Sequence, residues 1–447
     1  MSALAIAFQK RGNKKLPDGS LVSGYHVTGS DKGFYPPVST NLEKNNIEFY
    51  PGWHVNNMGN PDIVVVGNVA SSTNPEWLYV QKNNIEHYSY PEIIAKFLIK
   101  KNSIVCAGTY GKSTTSALMT WILSEAGMDP NYMIGGIPQN DLEPAKLTDS
   151  DWSIVEGDEY KSARWDMRPK FAHYSSSHLL LTAVKWDHAD IYPTEALYID
   201  TFKKLAEKNR NNLFIVSRQA KKVLDIDFGI SYGPEDDDYV YKNIQLDKTG
   251  IQFTIFHKQK EYVIKSPTLG TYMVDNITAC FAMAHQIGLD DEMIIDAIAR
   301  FKNIKRRLEK RFETPCDIYD DIAHSSEKVK SILSTLKQVY TGTVIAVFEP
   351  NTGNRKPESI PGYDHAFDDA TIVIIPRLSS VKQAEDDITL DGKQLSDVIK
   401  KTHNDVRFIE DDELLVQTIK QEIKKDSAVV FLGSHGFRGM IEAVSNY

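Results

Sequence analysis

Residues 101–127 follow the order of an apolar strand, a short glycine-containing loop and a helix, and this order constrains the fold most strongly. The strand is predicted in "KNSIVCAG" (101–108). The helix is predicted in "KSTTSALMTWILSEAG" (112–127), where apolar residues recur at helical spacing up to Gly127, with Pro130 just beyond. A buried strand that leads directly into a helix is typical of parallel α/β sheets, because parallel neighbours are joined by helical crossovers.

The loop between this strand and this helix has the residues of a phosphate cradle. Gly108 and Gly111 would let the backbone approach a ligand closely. Backbone N–H groups at the helix start would surround phosphate oxygens, and Lys112 would meet the outer phosphates. The hydroxyl of Ser113 or Thr114 is a candidate ligand for Mg²⁺.

Cys106 departs from the longer phosphate-loop pattern Gly-x-x-x-x-Gly-Lys-[Ser/Thr], which has a glycine at that position. The remaining Gly-Lys-Ser also occurs by chance. Taken alone, the loop therefore fits two interpretations equally, a nucleotide site and a tight strand-to-helix turn.

The rest of the chain continues the alternation of strands and helices. The stretch 236–266 instead alternates polar and apolar residues, which predicts an antiparallel excursion. A second α/β series starts near residue 316, and the basic segment "NIKRRLEKRFE" (303–313) before it is predicted to be a solvated hinge helix. These features predict three domains, 1–99, 100–303 and 304–447.

Charge and composition exclude several classes of protein. The 51 Lys and Arg against 60 Asp and Glu give a net charge of -9, which argues against a nucleic-acid or anionic-membrane binder. The chain has no run of 18 apolar residues, and its three cysteines fit neither a disulfide framework nor a zinc cluster. We therefore expect a soluble, cytoplasmic protein that meets anionic substrates with local basic groups.

Acidic and imidazole side chains follow two predicted strands. Glu156, Asp158 and Glu159 come at the end of "SIVEGDE", and His188 follows the next strand in "KWDHAD". Carboxyl ends of parallel strands are where open sheets bind ligands, and carboxylate oxygens suit Mg²⁺. Taken singly, these residues also fit solvated strand caps and a core histidine. Their position after a phosphate loop favours a magnesium site.

Several collinear motifs extend the pattern over nearly the whole chain: "VTGSD", "GTYGKSTTSALMTWIL", "IGGIPQN", "VEGDEYKSARWDMRPKFAHY", "WDHADIY", "RRLEKR", "IYDDIAH" and "VFEP". By these motifs the chain resembles the Mur ligases, the cytoplasmic ATP-dependent amide ligases of peptidoglycan synthesis, whose phosphate loop lacks the earlier glycine. The resemblance is strongest to members that join UDP-N-acetylmuramate to a murein peptide, L-alanyl-γ-D-glutamyl-meso-diaminopimelate, in peptidoglycan recycling.

The resemblance implies an α/β fold of three domains. An N-terminal Rossmann-like domain would bind the UDP-sugar, a central P-loop ATPase-type parallel sheet would bind ATP, and a C-terminal Rossmann-like domain would bind the acceptor. This chain starts at "MSALAIAF", inside the helix that follows the first strand of the family, so we expect the first domain to lack that strand.

The resemblance also implies roles for individual residues. The implied ATP-binding residues are Gly108, Thr109, Gly111, Lys112, Ser113, Thr114, Asn276, Arg307 and Asp321. Mg²⁺ would be held by Ser113, Glu156 and His188, and catalysis would rest on Lys112, Glu156, His188 and Arg307. Ser30 and Asp31 would bind the UDP-sugar, and His324 and Arg355 the acceptor. Because the third domain supplies Arg307 and Asp321, the resemblance implies domain closure before the reaction.

Three motifs depart from the family pattern. The adenine-side pattern of the family is glycine-x-histidine-asparagine-x-x-asparagine, and this chain has "GTYMVDN" there. Tyr272 replaces the histidine and Met273 replaces the first asparagine. In "DDIAHSS", two serines follow His324, and in "FEPNTGNRK" the arginine is shifted to Arg355. The last two departures concern the acceptor.

Three alternatives for the function stay open at this point. A UDP-N-acetylmuramate–L-alanine ligase would use the same site with a smaller acceptor, and a P-loop kinase would release a stable phosphorylated product. A non-catalytic relative would bind only nucleotide or UDP-sugar, although the retained catalytic residues argue against it. The oligomeric state also stays open between a monomer and a homodimer.

Overall fold

The computed structural model of the chain describes residues 1–12, 14–15, 21–22, 24–36, 38–68, 70–188, 190–379 and 389–446. The chain forms two compact units. The first contains Met1–Asn243, Phe253–Ile264 and Val274–Lys302, and the second contains Ile244–Gln252, Lys265–Met273 and Asn303–Tyr447. The predicted domain boundaries near 99 and 303 stay a prediction.

The first part of the chain consists of short elements. In chain order they are α1 (Ser2–Gly12), β1 (Lys14–Lys15), β2 (Leu21–Val22), β3 (Thr28–Asp31), α2 (Val38–Lys44), β4 (Glu48–Pro51), a 3-10 turn (Val55–Asn57), β5 (Val64–Val66), α3 (Pro75–Lys82), β6 (His87–Ser89) and α4 (Tyr90–Phe97). β1 and β2 pair antiparallel, whereas β3 with β4 and β5 with β6 form parallel pairs.

The central part of the chain builds one large sheet. Its elements are β7 (Asn102–Ala107), α5 (Lys112–Glu125), β8 (Asn131–Met133), β9 (Ala145–Lys146), β10 (Trp152–Gly157), β11 (Lys161–Ala163), β12 (Asp166–Pro169), a 3-10 turn (Lys170–His173), β13 (His178–Leu181), α6 (Glu195–Lys208), β14 (Leu213–Ser217), α7 (Arg218–Leu224), β15 (Ile230–Gly233), β16 (Tyr239–Asp247), β17 (Gly250–His257), β18 (Lys260–Ser266), α8 (Tyr272–Gln286) and α9 (Asp291–Ala299). The strand order is β18-β17-β16-β15-β14-β13-β7-β10-β8-β9.

β7 is an interior strand of this sheet, parallel to β13 on one side and to β10 on the other. Five of its six residues are buried, as expected for a strand covered on both faces. The predicted strand, loop and helix of residues 101–127 are therefore confirmed. Because β7, β10 and β13 run parallel, the segments that follow all three emerge at one edge of the sheet.

The second unit contains a smaller sheet. Its elements are β19 (Glu309–Phe312), β20 (Asp317–Asp321), α10 (Ser326–Val339), β21 (Val344–Glu349), 3-10 turns (Thr352–Arg355 and Pro357–Tyr363), β22 (Ile372–Pro376), α11 (Gly392–Ile399), β23 (Val406–Ile409), α12 (Asp412–Glu422), β24 (Ala428–Gly433) and α13 (Met440–Ser445). The order is β19-β20-β24-β21-β22-β23. All pairs are parallel except that of β19 with β20.

Each unit has an apolar core of its own. In the first unit, one cluster joins β7, β13 and β14 to α4 and α6, with Leu179 and Phe202 among its fully buried members. In the second unit, separate clusters cover the two faces of the sheet, one around Leu333 and Phe348 and the other around Phe431. Within the described ranges, no helix is both long and apolar enough to cross a membrane.

Candidate active site

Two glycines in the loop between β7 and α5 let its backbone pass close to neighbouring segments. Gly108 (φ +132°) and Gly111 (φ +84°) adopt conformations that other residues rarely take. A Cβ atom on Gly108 would overlap Thr182 Oγ1, and one on Gly111 would overlap Asn276 Oδ1. Thr182 also donates a hydrogen bond to the carbonyl of Tyr110. The loop therefore has the closely packed backbone that a phosphate cradle needs.

Cys106 belongs to the strand and not to the loop. It lies opposite Glu156 of β10 and Leu180 of β13 in the parallel register. Its side chain is fully buried, and burial raises the pKa of the thiol to about 12. Cys106 is therefore a neutral core residue, and the loop begins after it.

Lys112 points its amino group back along the loop. Its Nζ donates to Gly108 O at 2.6 Å and to Glu159 Oε2 at 2.7 Å, and its side chain is only 11% exposed. Burial lowers the pKa of Lys112, but the carboxylates of Glu159 and Glu156 outweigh it, so the pKa of Lys112 is raised. The loop thus carries a fixed positive charge at neutral pH.

Ser113 and Glu156 meet at the start of α5, where Ser113 Oγ donates to Glu156 Oε2 at 2.8 Å. Gly135 lies against this pair, since a Cβ atom there would overlap Glu156 Oε2. A hydroxyl and a carboxylate are hard oxygen ligands that suit Mg²⁺. No three His, Cys, Asp or Glu among the described residues form a metal-binding group. The donors therefore fit a metal that takes part of its shell from nucleotide phosphates.

His188 lies in the segment after β13, with a left-handed backbone (φ +57°). Its Nε2 is 3.6 Å from Glu159 Oε1. The interaction with Glu159 raises the pKa of His188, against the effect of burial. The resemblance implies that His188 and Glu156 hold the metal together, and in the structure His188 contacts the carboxylate of Glu159.

Glu159 is one of the acidic candidates after β10, and although the resemblance implies no role for it, it makes several contacts within the site. Its side chain is 1% exposed and contacts Lys112, His188 and the hydroxyl of Tyr198. Two carboxylates follow β10 in "GDEY", and only their contacts distinguish them. Asp158 pairs with Lys170 at 2.5 Å, whereas Glu159 pairs with Lys112 at 2.7 Å. Glu159 is thus the one of the two that turns toward the loop.

The predicted UDP-sugar residues lie in β3. Ser30 Oγ donates to the carboxylate of Glu76 in α3, and Asp31 Oδ1 accepts from the backbone N–H of Lys32 at 2.7 Å. The Glu76 carboxylate also accepts from His54 N at 2.9 Å. The carboxyl end of β3 thus forms a small polar cluster with α3.

Arg307 and Asp321 lie in the second unit. The Asp321 carboxylate accepts from the N–H groups of Leu308 at 2.6 Å and Ala323 at 2.7 Å. Burial raises the pKa of Asp321, and the positive charge of Arg307 only partly offsets this effect. These contacts hold the end of β20 next to the segment that carries Arg307.

The segment predicted as a solvated hinge helix has a different structure. Residues 309–312 form strand β19, and the preceding residues form a turn. Arg306 is held within the second unit by Asp320 at 3.2 Å and by the carbonyl groups of Ser434 at 3.2 Å and His435 at 3.0 Å. The prediction of a helix here was wrong because pairing of β19 with β20 outweighs the local charge pattern.

The two predicted acceptor residues lie after β20 and β21. His324 Nδ1 is 2.8 Å from Ile322 O. Arg355 is only 7% exposed and donates to Ser379 O at 2.9 Å. Burial lowers the pKa of Arg355, against the attraction of the Glu349 carboxylate. Both residues follow the carboxyl ends of parallel strands of the same sheet.

Three family models match the chain in succession. The model described as "Mur ligase family, catalytic domain" matches residues 20–102, the "Mur ligase middle domain" matches 106–284, and the "Mur ligase, glutamate ligase domain" matches 306–435. The middle-domain match contains the loop, Glu156 and His188.

The chain is similar to several curated proteins, including the following three. The UDP-N-acetylmuramate–L-alanyl-γ-D-glutamyl-meso-2,6-diaminoheptandioate ligase of Haemophilus influenzae is 33% identical over 74% of this chain and 76% of its own length. The Escherichia coli protein of the same name is 31% identical over 74% of this chain and 75% of its own length. A UDP-N-acetylmuramate–L-alanine ligase of Bartonella henselae is 27% identical, over 92% of this chain and 88% of its own.

Solved structures share the fold. A UDP-N-acetylmuramate-alanine ligase from Thermotoga maritima has a TM-score of 0.76 at 19% identity, covering 94% of this chain and 92% of its own. A murein peptide ligase from Psychrobacter arcticus has a TM-score of 0.66 at 22% identity, covering 100% and 97%. The predicted three-domain α/β architecture is thereby confirmed.

Proposed function

The chain belongs to the Mur ligase family, and we propose that it joins UDP-N-acetylmuramate to a murein peptide, L-alanyl-γ-D-glutamyl-meso-diaminopimelate, in peptidoglycan recycling. Members of this family are ATP-dependent ligases that form amide bonds. The relatives at 33% and 31% identity are named for this acceptor, which supports the peptide as the substrate of this chain.

The observation that carries the proposal is the meeting of Lys112, Ser113 and Glu156 at one glycine loop. A carboxylate is a poor acyl donor. The γ-phosphoryl group of ATP is therefore first transferred to the carboxylate of UDP-N-acetylmuramate, which gives an acyl phosphate and ADP. The peptide amine then attacks the acyl carbon, the amide bond forms, phosphate leaves and the amine loses a proton.

We propose the following roles for the residues of the chain. Lys112 and the N–H groups around Gly111 hold the phosphates, with Gly108 and Thr109 as further residues of the loop, and Lys112 offsets the charge as two anions approach. Ser113, Glu156 and His188 hold Mg²⁺, which when bound neutralises negative charge on the phosphates. The proposed remaining ligands are Thr114, Asn276, Arg307 and Asp321 for ATP, Ser30 and Asp31 for the UDP-sugar, and His324 and Arg355 for the acceptor.

A direct assay tests this function. The protein is incubated with ATP, Mg²⁺ and UDP-N-acetylmuramate, with the tripeptide, with L-alanine or with no amine, and phosphate and products are followed by mass spectrometry. We expect phosphate release and an amide product only with the tripeptide. Lys112→Met should abolish both, whereas Lys400→Met, an exposed lysine of the second unit, should not.

Each alternative has its own outcome in this assay. ADP and a stable phosphorylated sugar nucleotide without an amine would identify a kinase, and binding without turnover would identify a non-catalytic relative. An amide product with L-alanine alone would identify the second candidate, UDP-N-acetylmuramate–L-alanine ligase. That candidate is favoured by relatives of that name whose similarity spans 92% of the chain.

We also propose a cytoplasmic location, because the reaction consumes ATP, and a monomer or homodimer as the functional state. Light scattering after size exclusion distinguishes the two states.

A further inference from the structure

We propose that Glu159 is a positioning residue that holds Lys112 and His188 in the nucleotide-free protein and competes with phosphate for Lys112. The inference rests on the proposed function, because it assigns Lys112 to phosphate and His188 to the metal. It concerns a side chain to which the family resemblance gave no role.

Glu159 joins three separate segments of the first unit. One carboxylate oxygen, Oε2, is 2.7 Å from Lys112 Nζ at the start of α5. The other, Oε1, is 3.6 Å from His188 Nε2 in the segment after β13. Glu159 itself follows β10. Because each oxygen faces a different partner, the carboxylate bridges the phosphate loop and the predicted metal site.

Two tyrosine hydroxyl groups hold Glu159 in place, that of Tyr192 in the segment after β13 and that of Tyr198 in α6. Tyr198 Oη donates to Glu159 Oε1 at 3.3 Å, and Tyr192 Oη donates to the backbone carbonyl of Glu159 at 2.6 Å. Tyr198 Oη also lies 2.8 Å from Thr109 Oγ1 in the phosphate loop. With 1% of its side chain exposed, Glu159 is fixed by packing and hydrogen bonds. Such a side chain can orient its partners.

The two contacts of Glu159 have opposite consequences for ligands. Its negative charge occupies the same ammonium group that would bind phosphate, so a nucleotide has to compete with it. On the other side, a carboxylate that contacts a metal-binding histidine orients the ring, and loss of such a partner typically costs about 10- to 100-fold in metal affinity or activity. Neutralising Glu159 should therefore strengthen phosphate binding and slow the reaction.

Glu159→Gln tests this pairing of effects. Isothermal titration with ADP in the absence of Mg²⁺ should show tighter binding by the variant than by the wild type. Amide formation should fall by about 10- to 100-fold in kcat, and the Mg²⁺ concentration at half-maximal rate should rise. Glu159→Asp, which keeps the charge, should recover part of kcat. A residue with only a structural role would weaken ADP binding and turnover together.

Two further variants control the test. Asp317→Asn removes a carboxylate that lies 3.3 Å from Lys310 at the amino end of β20 and is 14% exposed, and it should leave ADP affinity unchanged. Tyr198→Phe removes the hydrogen bond to Glu159 and the contact with Thr109 Oγ1, and it leaves the charge of Glu159 unchanged. We expect Tyr198→Phe to lower kcat and to bind ADP no more tightly than the wild type does. If Glu159→Gln does not fold, this variant still tests whether Glu159 has to be held in position.

The outcomes separate this inference from the proposed function. If the wild type forms no amide, the proposed function fails, and the ADP titration alone still tests whether Glu159 competes for Lys112. ADP binding that is unchanged or weaker in Glu159→Gln would overturn the inference even if the wild type is an active ligase.

Discussion

Among single residues, Lys112 and Glu159 form a nearly buried ion pair, 11% and 1% exposed, in which each charge depends on the other. Replacing Lys112 by methionine leaves the Glu159 carboxylate buried without its cation. Breaking such a pair typically costs about 3 kcal/mol or more. We therefore expect Lys112→Met to lower the free energy of unfolding by roughly this amount, measured by urea denaturation with tryptophan fluorescence.

A double variant controls this prediction. Lys112→Met combined with Glu159→Gln removes both charges and should recover much of the lost stability. If the double variant is less stable than Lys112→Met by the full cost of a second independent mutation, the two residues are not coupled and the contact at 2.7 Å has no energetic role.

Asp275, in the first turn of α8, predicts a dependence of stability on pH. Burial raises its pKa, and the hydrogen bond from Tyr241 Oη at 3.0 Å only partly offsets this effect. The unfolded pKa is about 3.9. Because the folded pKa is higher, the unfolded state loses its proton first, and stability falls as pH rises from the unfolded through the folded value.

Asp275→Asn removes this titration and keeps an acceptor for Tyr241. We expect the variant to match the wild type in stability below about pH 3, where the carboxyl is protonated in both states, and to exceed it at pH 7. Urea denaturation at several pH values gives the comparison. An Asn variant that is less stable than the wild type at pH 7 would contradict the prediction.

At the scale of secondary structure, Cys106 decides where β7 ends and the loop begins. Changing Cys106 to glycine would restore the longer phosphate-loop pattern. Because residue 106 is buried between β10 and β13, we expect Cys106→Gly to lose about 2 kcal/mol of stability through lost packing and greater backbone freedom. ADP affinity, measured by titration calorimetry, should not improve.

Cys106→Ala is the matched control, because it keeps the Cβ atom and the restricted backbone. It should cost about 1 kcal/mol. Tighter ADP binding by the glycine variant but not by the alanine variant would show that residue 106 belongs to the loop after all.

The sequence predicts an element correctly where the local residue pattern favours the same structure as the tertiary contacts do. The strand, loop and helix of residues 101–127 are of this kind, because apolar spacing, glycines and a helix stop all favour one structure. Residues 303–313 are different: their charges predict a solvated helix, whereas pairing with β20 makes part of them β19. The pairing of Glu159 with Lys112 could not be predicted either. It depends on the directions of the side chains after β10, which the spacing along the chain does not determine.

At the scale of the whole molecule, the two compact units have separate apolar cores. Chains with separate cores often unfold in more than one step. All six tryptophans, the residues 53, 77, 121, 152, 165 and 186, lie in Met1–Asn243 of the first unit. Tryptophan fluorescence therefore reports on the first unit, whereas far-ultraviolet circular dichroism reports on both.

This separation of signals allows the role of the phosphate loop in nucleotide binding to be tested by thermal unfolding. Lys112, Ser113 and Glu156 lie in the first unit, so ADP with Mg²⁺ should raise the midpoint of the fluorescence transition. At a ligand concentration of 100 times Kd the stabilisation is about 2.7 kcal/mol, which corresponds to roughly 5–10 °C for a unit of this size. Lys112→Met should show no such shift. A shift in circular dichroism without one in fluorescence would place nucleotide binding outside the first unit and contradict the assignment of the loop.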